Sequence, residues 1–140
     1  MLQSKGVDAL VLDRADEIGA SWKAHYDRLH LHTVRWLSNL PGVHFPRRDG
    51  KWVARDDVVR YLKRYVELQD LRVRVDVSVD SVRRSSSAWR VETSEGVVNA
   101  DSVVIATGFN NEPVMPEWPG VDDFTGELIH SSLYRNGPRL

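Results

Sequence analysis

The segment at residues 6–13 is rich in Val and Leu and ends in one acidic residue, Asp13. A short apolar run of this kind predicts a buried parallel strand, because both faces of such a strand are covered. A second run, at residues 103–106, ends in Thr107 and Gly108. Two buried strands that each end in a polar residue predict a nucleotide-binding α/β domain whose ligand lies at the carboxyl ends of the strands.

The residues between these two runs predict a helix and a small antiparallel sheet. Apolar residues recur every three or four positions at 56–69, which indicates an amphipathic surface helix. Residues 71–82, 89–93 and 97–100 are β-branched or alternate, and polar turns separate them, which predicts an antiparallel meander. Residues 1–5 are typical of the last turn of a helix, so we expect more chain upstream.

Composition excludes several classes of protein. The 140 residues include 19 basic and 20 acidic side chains, so the net charge of −1 gives no positive field for nucleic acid. The sequence has no cysteine, which excludes disulfides, thiolate zinc sites and a cysteine nucleophile. No apolar stretch reaches the length of a membrane span and no signal peptide is recognisable, so we expect a cytoplasmic protein with no membrane partner.

Taken alone, the candidate ligand-binding residues have two readings each. Asp13 can accept hydrogen bonds from both ribose hydroxyls of an adenosine, or it can be an ordinary turn residue at the end of a strand. Thr107 and Gly108 allow close approach of the backbone to a ligand, or simply form a turn. His30 and His32 would point to one side of a strand, yet no third ligand has a persuasive spacing, so we expect no metal site.

The chain resembles a known family, because a series of motifs occurs in the family's order along almost its whole length. They are Val11-Leu-Asp-Arg14, Gly19-Ala-Ser-Trp22, Tyr26-Asp-Arg-Leu29, Leu31-His32, Leu40-Pro41, Phe45-Pro46, Ile105-Ala-Thr-Gly108 and Phe124-x-Gly126-x-x-x-His130-x-x-x-Tyr134. The last motif, here called the fingerprint, is the most specific. With it the chain resembles the flavin-containing monooxygenases, a group of class B flavoprotein monooxygenases, and most of all their YUCCA-like branch. The resemblance implies an incomplete, three-layer, Rossmann-like FAD-binding domain with a β-meander insertion.

The resemblance also implies which residues bind the adenosine side of FAD. Asp13, with Arg14 beside it, takes the place of the acid that binds the ribose, where the family more often has Glu. Val79 corresponds to the strand residue whose backbone meets the adenine. Thr107 and Gly108 correspond to residues that lie along the dinucleotide.

Further residues are implied near the flavin ring. Trp22 would lie close to the flavin, and Arg35 keeps a cation where relatives have Lys. His32 corresponds to the position that supports the oxygenated flavin and is the one candidate catalytic residue. His130 would link the FAD and NADPH domains.

The activity implied is NADPH-dependent reduction of FAD, addition of O2 at the flavin C4a atom, and transfer of one oxygen atom to a small organic substrate. No G-x-G-x-x-G loop occurs among the nine glycines, although such a loop normally binds the pyrophosphate. We therefore expect residues 1–140 to be a partial FAD/NAD(P)-binding domain, with residues 109–140 as an inter-domain linker that carries the fingerprint. Such a chain would need the N- and C-terminal parts of the same enzyme as partners and would be inactive alone.

Two alternatives to this activity remain. The chain could be a catalytically inactive remnant or a binding module of a flavoprotein. It could also belong to another FAD- and NAD(P)H-dependent oxidoreductase. A glutathione-reductase-like enzyme needs a dithiol soon after the second strand, where this chain has Trp22 and no cysteine.

Overall fold

The structure, a computed structural model, describes residues 5–108 and 112–137. In chain order its main elements are β1 (Leu10–Leu12), α1 (Ala20–Lys23), α2 (Arg55–Leu68), β2 (Arg72–Arg74), β3 (Val79–Arg84), β4 (Trp89–Thr93) and β5 (Gly96–Ala100). Short 3-10 turns occur at Arg35–Leu37, Arg47–Asp49, Val121–Asp123 and Ser131–Leu133. The prediction of a mixed α/β fold is confirmed. Among the described residues, no helix has the length and apolar character needed to cross a membrane.

Helix α2 carries most of the core. Its buried face consists of Val58, Val59, Tyr61 and Tyr65, at the spacing that the sequence predicted. Three of these side chains form one cluster with buried residues of the preceding loops, Val43, Phe45 and Val53. The helix begins without a side-chain cap at Ala54, while two aspartates in its first turn suit the positive end of its dipole.

Strands β1 and β2 form a two-stranded parallel sheet, with Val11 opposite Val73. The sequence predicted residues 71–82 as one strand of the meander, and this prediction is wrong. The run divides because Asp76 has a left-handed backbone with φ of 62°, which interrupts an extended strand. Its first part pairs with β1, and its second part enters the meander as β3.

Strands β3, β4 and β5 form the predicted antiparallel meander. Val91 at its centre is buried and lies opposite Val82 on one side and Val98 on the other. These three residues point to the same face of the sheet, as the alternation of β-branched residues required.

Residues 103–106 do not form the buried strand that the sequence predicted. They lie in irregular chain, and the side chains of Val104 and Ile105 are 82% and 74% exposed. An apolar run becomes a strand only where a neighbouring strand pairs with its backbone, and the described part of the chain provides none at this position. Apart from Lys5, the predicted helix end at residues 1–5 lies outside the described residues.

Candidate functional site

Asp13 lies directly after β1, at the carboxyl end of the parallel pair. Its N–H donates to the carbonyl oxygen of Arg74 at 3.0 Å, and its own carbonyl accepts from the N–H of Val77 at 3.0 Å. The exposed carboxylate accepts one hydrogen bond, from the N–H of Ala15 to Oδ1 at 3.0 Å. A carboxylate has about four acceptor positions, so capacity remains for hydroxyl donors such as those of a ribose.

Arg14 is next to Asp13 in the chain, and Val79 lies close to Asp13 through a backbone hydrogen bond of Val77. Val79 starts β3 two residues after Val77, which is bonded to Asp13, and the Val79 side chain is half exposed. Arg14 is exposed next to Asp13. The structure therefore brings three of the predicted adenosine-side residues to one region.

Thr107 and Gly108 lie in exposed irregular chain after the meander. Gly108 has a left-handed φ of 76°, and among the described residues other than its chain neighbours no atom lies within 4 Å of the position that a Cβ would take. A ligand could therefore approach the backbone closely there. The exposed carboxylate of Asp13, with one of its acceptor positions used by Ala15, fits the hydroxyl donors on the adenosine side of FAD.

Arg35 is held by the backbone of its own loop. Its Nε donates to the carbonyl oxygen of Gly50 at 2.9 Å, and one terminal nitrogen donates to that of Phe45 at 3.1 Å. The guanidinium therefore stabilises the loop at residues 45–50. Its predicted role in cofactor binding stays a prediction, and these two bonds give the side chain a second role that the sequence did not indicate.

Trp22 and His32 have different surroundings. Trp22 is half-buried on α1, packs against the core cluster, and has its ring 6.2 Å from that of His25. His32 is exposed and follows Leu31, whose N–H donates to the carbonyl oxygen of Val53 at 2.8 Å. Their roles at the flavin stay predictions.

The histidines do not form a metal site in the described part of the chain. His30 Nδ1 lies 2.8 Å from the carbonyl oxygen of Arg28, which occupies one of its ring nitrogens. Among residues 5–108 and 112–137, no group of three His, Cys, Asp or Glu side chains could hold a metal ion.

The fingerprint has a local physical basis at two of its positions. A Cβ at Gly126 would lie 2.8 Å from Cε1 of the Phe124 ring, closer than real contacts allow, so the ring packs where a side chain would be. His130 caps the turn at Ser131–Leu133, because its Nδ1 accepts a hydrogen bond from the N–H of Ser132 at 3.1 Å. In the neutral ring an accepting Nδ1 places the proton on Nε2.

The end of the fingerprint lies against the segment at residues 26–29. The rings of Tyr26 and Tyr134 are 6.1 Å apart, and the N–H of Asp27 donates to the carbonyl oxygen of Arg135 at 2.8 Å. The Asp27 carboxylate also binds Asn136 and Arg55, whose hydrogen bonds, in that order, lower its pKa. Asp27 and Tyr134 belonged to recognised motifs, but neither motif indicated that the two segments touch.

Tyr61 is a second residue that supports the region of the site and that the sequence did not indicate. Its hydroxyl accepts from the N–H of Leu40 at 2.7 Å and donates to the carbonyl oxygen of Val43 at 2.8 Å. Burial raises the pKa of this hydroxyl. Tyr61 was not among the apolar positions that predicted the helix, yet its side chain is buried in the core cluster.

The mixed α/β fold, with its parallel pair β1–β2 and its antiparallel meander, is that of a fragment of an FAD-binding domain. A family model described as pyridine nucleotide-disulphide oxidoreductase matches residues 1–137, and the chain belongs to this family. Within it, the resemblance to flavin-containing monooxygenases and their YUCCA-like branch is confirmed. The chain is 33% identical over 139 residues to the probable indole-3-pyruvate monooxygenase YUCCA4 of Arabidopsis thaliana. That match covers 97% of this chain and 34% of the relative, so the chain spans about a third of its length.

Solved structures share the same fold. A flavin-containing monooxygenase from Stenotrophomonas maltophilia superposes with a TM-score of 0.83 at 30% identity, covering 93% of this chain and 40% of that one. The protein OTEMO, in complex with FAD and NADP, superposes with a TM-score of 0.68 at 22% identity, covering 99% of this chain and 28% of its own. The predicted Rossmann-like fold of an FAD-binding domain is therefore confirmed.

Proposed function

We propose that this chain supplies the adenosine side and the fingerprint of the FAD-binding domain of an FAD- and NADPH-dependent monooxygenase. The observation that carries the proposal is the exposed carboxylate of Asp13 at the carboxyl end of the parallel pair β1–β2. Residues 1–140 would be part of one FAD/NAD(P)-binding domain, and residues 109–140 would be the linker toward the NADPH domain. The enzyme would insert one oxygen atom from O2 into a small organic molecule.

When bound, FAD supplies hydride acceptance from NADPH and activation of O2. The residues of this chain bind and orient it. Asp13 would accept hydrogen bonds from the ribose hydroxyls, and the backbone of Val79 would contact the adenine. Gly108, with a left-handed φ of 76° that favours glycine, would bring backbone without a side chain toward the cofactor.

Three other residues act nearer the flavin ring in this proposal. Trp22, which is half-buried, excludes water from the ring. His32 would be the catalytic residue and would offer a hydrogen bond beside the flavin ring. His130 presents Nε2–H toward the NADPH domain, because its Nδ1 is already occupied by the turn at Ser131–Leu133.

The substrate class follows from the relatives. Those from Arabidopsis thaliana and Oryza sativa are named as indole-3-pyruvate monooxygenases. An aromatic 2-oxo acid is therefore the substrate class that we favour, with an amine or a thioether as alternatives. The cytoplasmic location stays a prediction, which cell fractionation tests.

A second candidate function is that of a binding module that is inactive without the rest of the enzyme. The observation that favours it is the exposure of apolar side chains. Val11 on β1 is 47% exposed, and Val104 and Ile105, in the run that was predicted as a strand, are more exposed still. We propose that other parts of the same enzyme cover these side chains and contribute the glycine-rich loop that binds the pyrophosphate.

Two preparations separate the candidates. The first is this chain titrated with FAD; the second is a chimera in which residues 1–137 replace the matching segment of the Stenotrophomonas maltophilia enzyme. The chimera is expected to bind flavin and to oxidise NADPH in the presence of O2. A folded but colourless chimera contradicts the proposal, and a flavin-loaded chimera without NADPH oxidation favours the binding module.

Two variants of the chimera, each lacking one carboxylate, test whether the Asp13 carboxylate binds FAD. Asp13→Ala should weaken FAD binding about tenfold, because a charge-assisted hydrogen bond is lost. Asp8→Ala is the control, since the Asp8 carboxylate lies before β1 and binds Arg72 at 2.7 Å. Equal affinities for the two variants would remove Asp13 from the site.

A further inference from the structure

The fingerprint is reached by a long stretch of irregular chain. After β5 ends at Ala100, the described residues 101–108 and 112–137 contain only 3-10 turns and are mostly exposed. Closing a long flexible loop costs entropy, and the covalent connection itself does not choose where the loop returns. The position of the fingerprint must therefore come from the contacts that it makes where it returns.

Asp27 provides such contacts on the fingerprint side. Its Oδ2 accepts from Nδ2 of Asn136 at 2.7 Å, and its N–H donates to the carbonyl oxygen of Arg135. The backbone and the side chain of Asp27 thus hold two consecutive residues, Arg135 and Asn136, which directly follow the last fingerprint residue, Tyr134. The guanidinium of Arg135 in turn donates to the carbonyl oxygen of Ser132 at 3.0 Å, which ties this end to the turn that His130 caps.

Arg55 provides a fixed support on the other side. It is the first residue of α2, and its side chain is only 13% exposed. One terminal nitrogen donates both to Asp27 Oδ1 at 3.0 Å and to the carbonyl oxygen of His25 at 2.8 Å. Its Nε donates to Asp56 at 2.8 Å. A guanidinium held by three acceptors has little freedom, so it fixes the carboxylate that it binds.

We propose that Asp27 is the positioning residue of the fingerprint: its carboxylate couples Arg55 of α2 to Asn136 and so sets where His130 lies. The role of His130 toward the NADPH domain rests on the proposed function, whereas the coupling of Arg55 to Asn136 through Asp27 does not. Asp27 touches no reacting group in this proposal and acts through the segment that it holds.

Amide hydrogen exchange of the full chain, measured by NMR, tests this coupling. Asp27→Ala and Asn136→Ala should each raise exchange at Ser132, Leu133 and Tyr134 about three- to tenfold, because one or two hydrogen bonds are lost. Amides in the middle of α2 should be unchanged. Asn136→Ala matters most, since Asn136 lies outside the core cluster and its loss leaves the folding of α2 intact.

A charge-swapped pair distinguishes positioning from a general effect on stability. In Asp27→Asn a single amide oxygen must serve the donors of both Arg55 and Asn136, so exchange should rise. In Asp27→Asn with Asn136→Asp, the new amide oxygen can accept from Arg55 while its NH2 donates to the new carboxylate, so protection should return. Asp122→Asn, in the exposed linker, is the control.

The outcomes separate this inference from the proposed function. Unchanged exchange in the fingerprint, an equal rise in α2, or no recovery in the swapped pair overturns the positioning role, whatever the chain binds. If exchange responds as expected but the same variants in the chimera leave NADPH oxidation unchanged, positioning stands and the role proposed for His130 fails.

Discussion

Tyr61 on α2 stacks on Phe45 with the ring centroids 3.7 Å apart and the planes inclined by 19°. The Tyr61 hydroxyl also bridges the backbone of Leu40 and Val43. One side chain therefore holds the loop at residues 40–45 by its ring and by its hydroxyl. The two family motifs Leu40-Pro41 and Phe45-Pro46 lie at the two ends of this loop, so its shape depends on a residue outside both.

Removing this hydroxyl should destabilise the chain while keeping the stack. Tyr61→Phe leaves a backbone donor and a backbone acceptor without their partner, which should lower the free energy of unfolding by about 1–3 kcal/mol. Urea denaturation followed by tryptophan fluorescence measures the loss. Tyr65→Phe, which removes a hydroxyl bonded to the carbonyl oxygen of Pro41 at 3.1 Å, leaves the bonds to Leu40 and Val43 in place and is the comparison variant. A Tyr61→Phe variant as stable as the parent would show that the hydroxyl does not hold the loop.

The loop after β1 is tied to both helices by one carboxylate. Glu17 pairs with Lys23 of α1 and, at 2.6 Å, with Lys63 of α2. The hydrogen bonds from Lys23 and then Lys63 lower the pKa of Glu17 from 4.5 to about 2. A carboxylate whose pKa is lower in the folded state stabilises that state above pH 4.5, and its contribution disappears as the pH falls toward 2.

We therefore expect Glu17→Gln to lower the melting temperature at pH 7 and to have progressively less effect between pH 4.5 and pH 2. The difference should also shrink in high salt, because the ammonium groups of Lys23 and Lys63 are on exposed side chains. Thermal melts across this pH range check both points, with Glu67→Gln at an exposed position of α2 as the control. A difference that is constant from pH 7 to pH 2 would argue against an ionised Glu17 as the cause.

Local patterns predicted what depends on neighbours in the sequence. Helix α2, the three strands of the meander and the place of Asp13 at the end of β1 all follow from the spacing of apolar residues over fewer than twenty positions. The periodic face of α2 and the Val91 face of the meander are the faces that the structure buries, whereas β1, which was predicted as a buried strand, has Val11 47% exposed.

Patterns failed where the outcome depends on distant chain. The apolar run at residues 103–106 carries the composition of a strand but lacks a partner in the described chain, and composition cannot reveal that. The left-handed conformation of Asp76 divides a run that alternates without interruption. Asp27 and Asn136 meet across 109 positions, a separation that no local pattern encodes.

The spacing of Phe124 and Gly126 can be tested by a double-mutant cycle. Gly126→Ala places a Cβ against the Phe124 ring, which must leave its position. The ring is 60% exposed and can rotate, so the cost should be about 0.5–1.5 kcal/mol. Phe124→Ala should remove this cost, and the double variant should then be as stable as Phe124→Ala alone. Additive losses in urea denaturation would show that the ring is not what requires glycine.

A substitution at Arg35 distinguishes a structural role of this side chain from a role in cofactor binding. Its two bonds reach the carbonyl oxygens of Gly50 and Phe45 from different nitrogens, and the point charge of a lysine cannot reproduce that geometry. Arg35→Lys should lower the free energy of unfolding by about 1.5 kcal/mol, because one charge-assisted hydrogen bond is lost. Arg47→Lys, an exposed arginine in the same loop, should have little effect. If Arg35→Lys instead leaves stability unchanged and lowers the FAD affinity of the chimera, the guanidinium acts on the cofactor and the two carbonyl bonds contribute little.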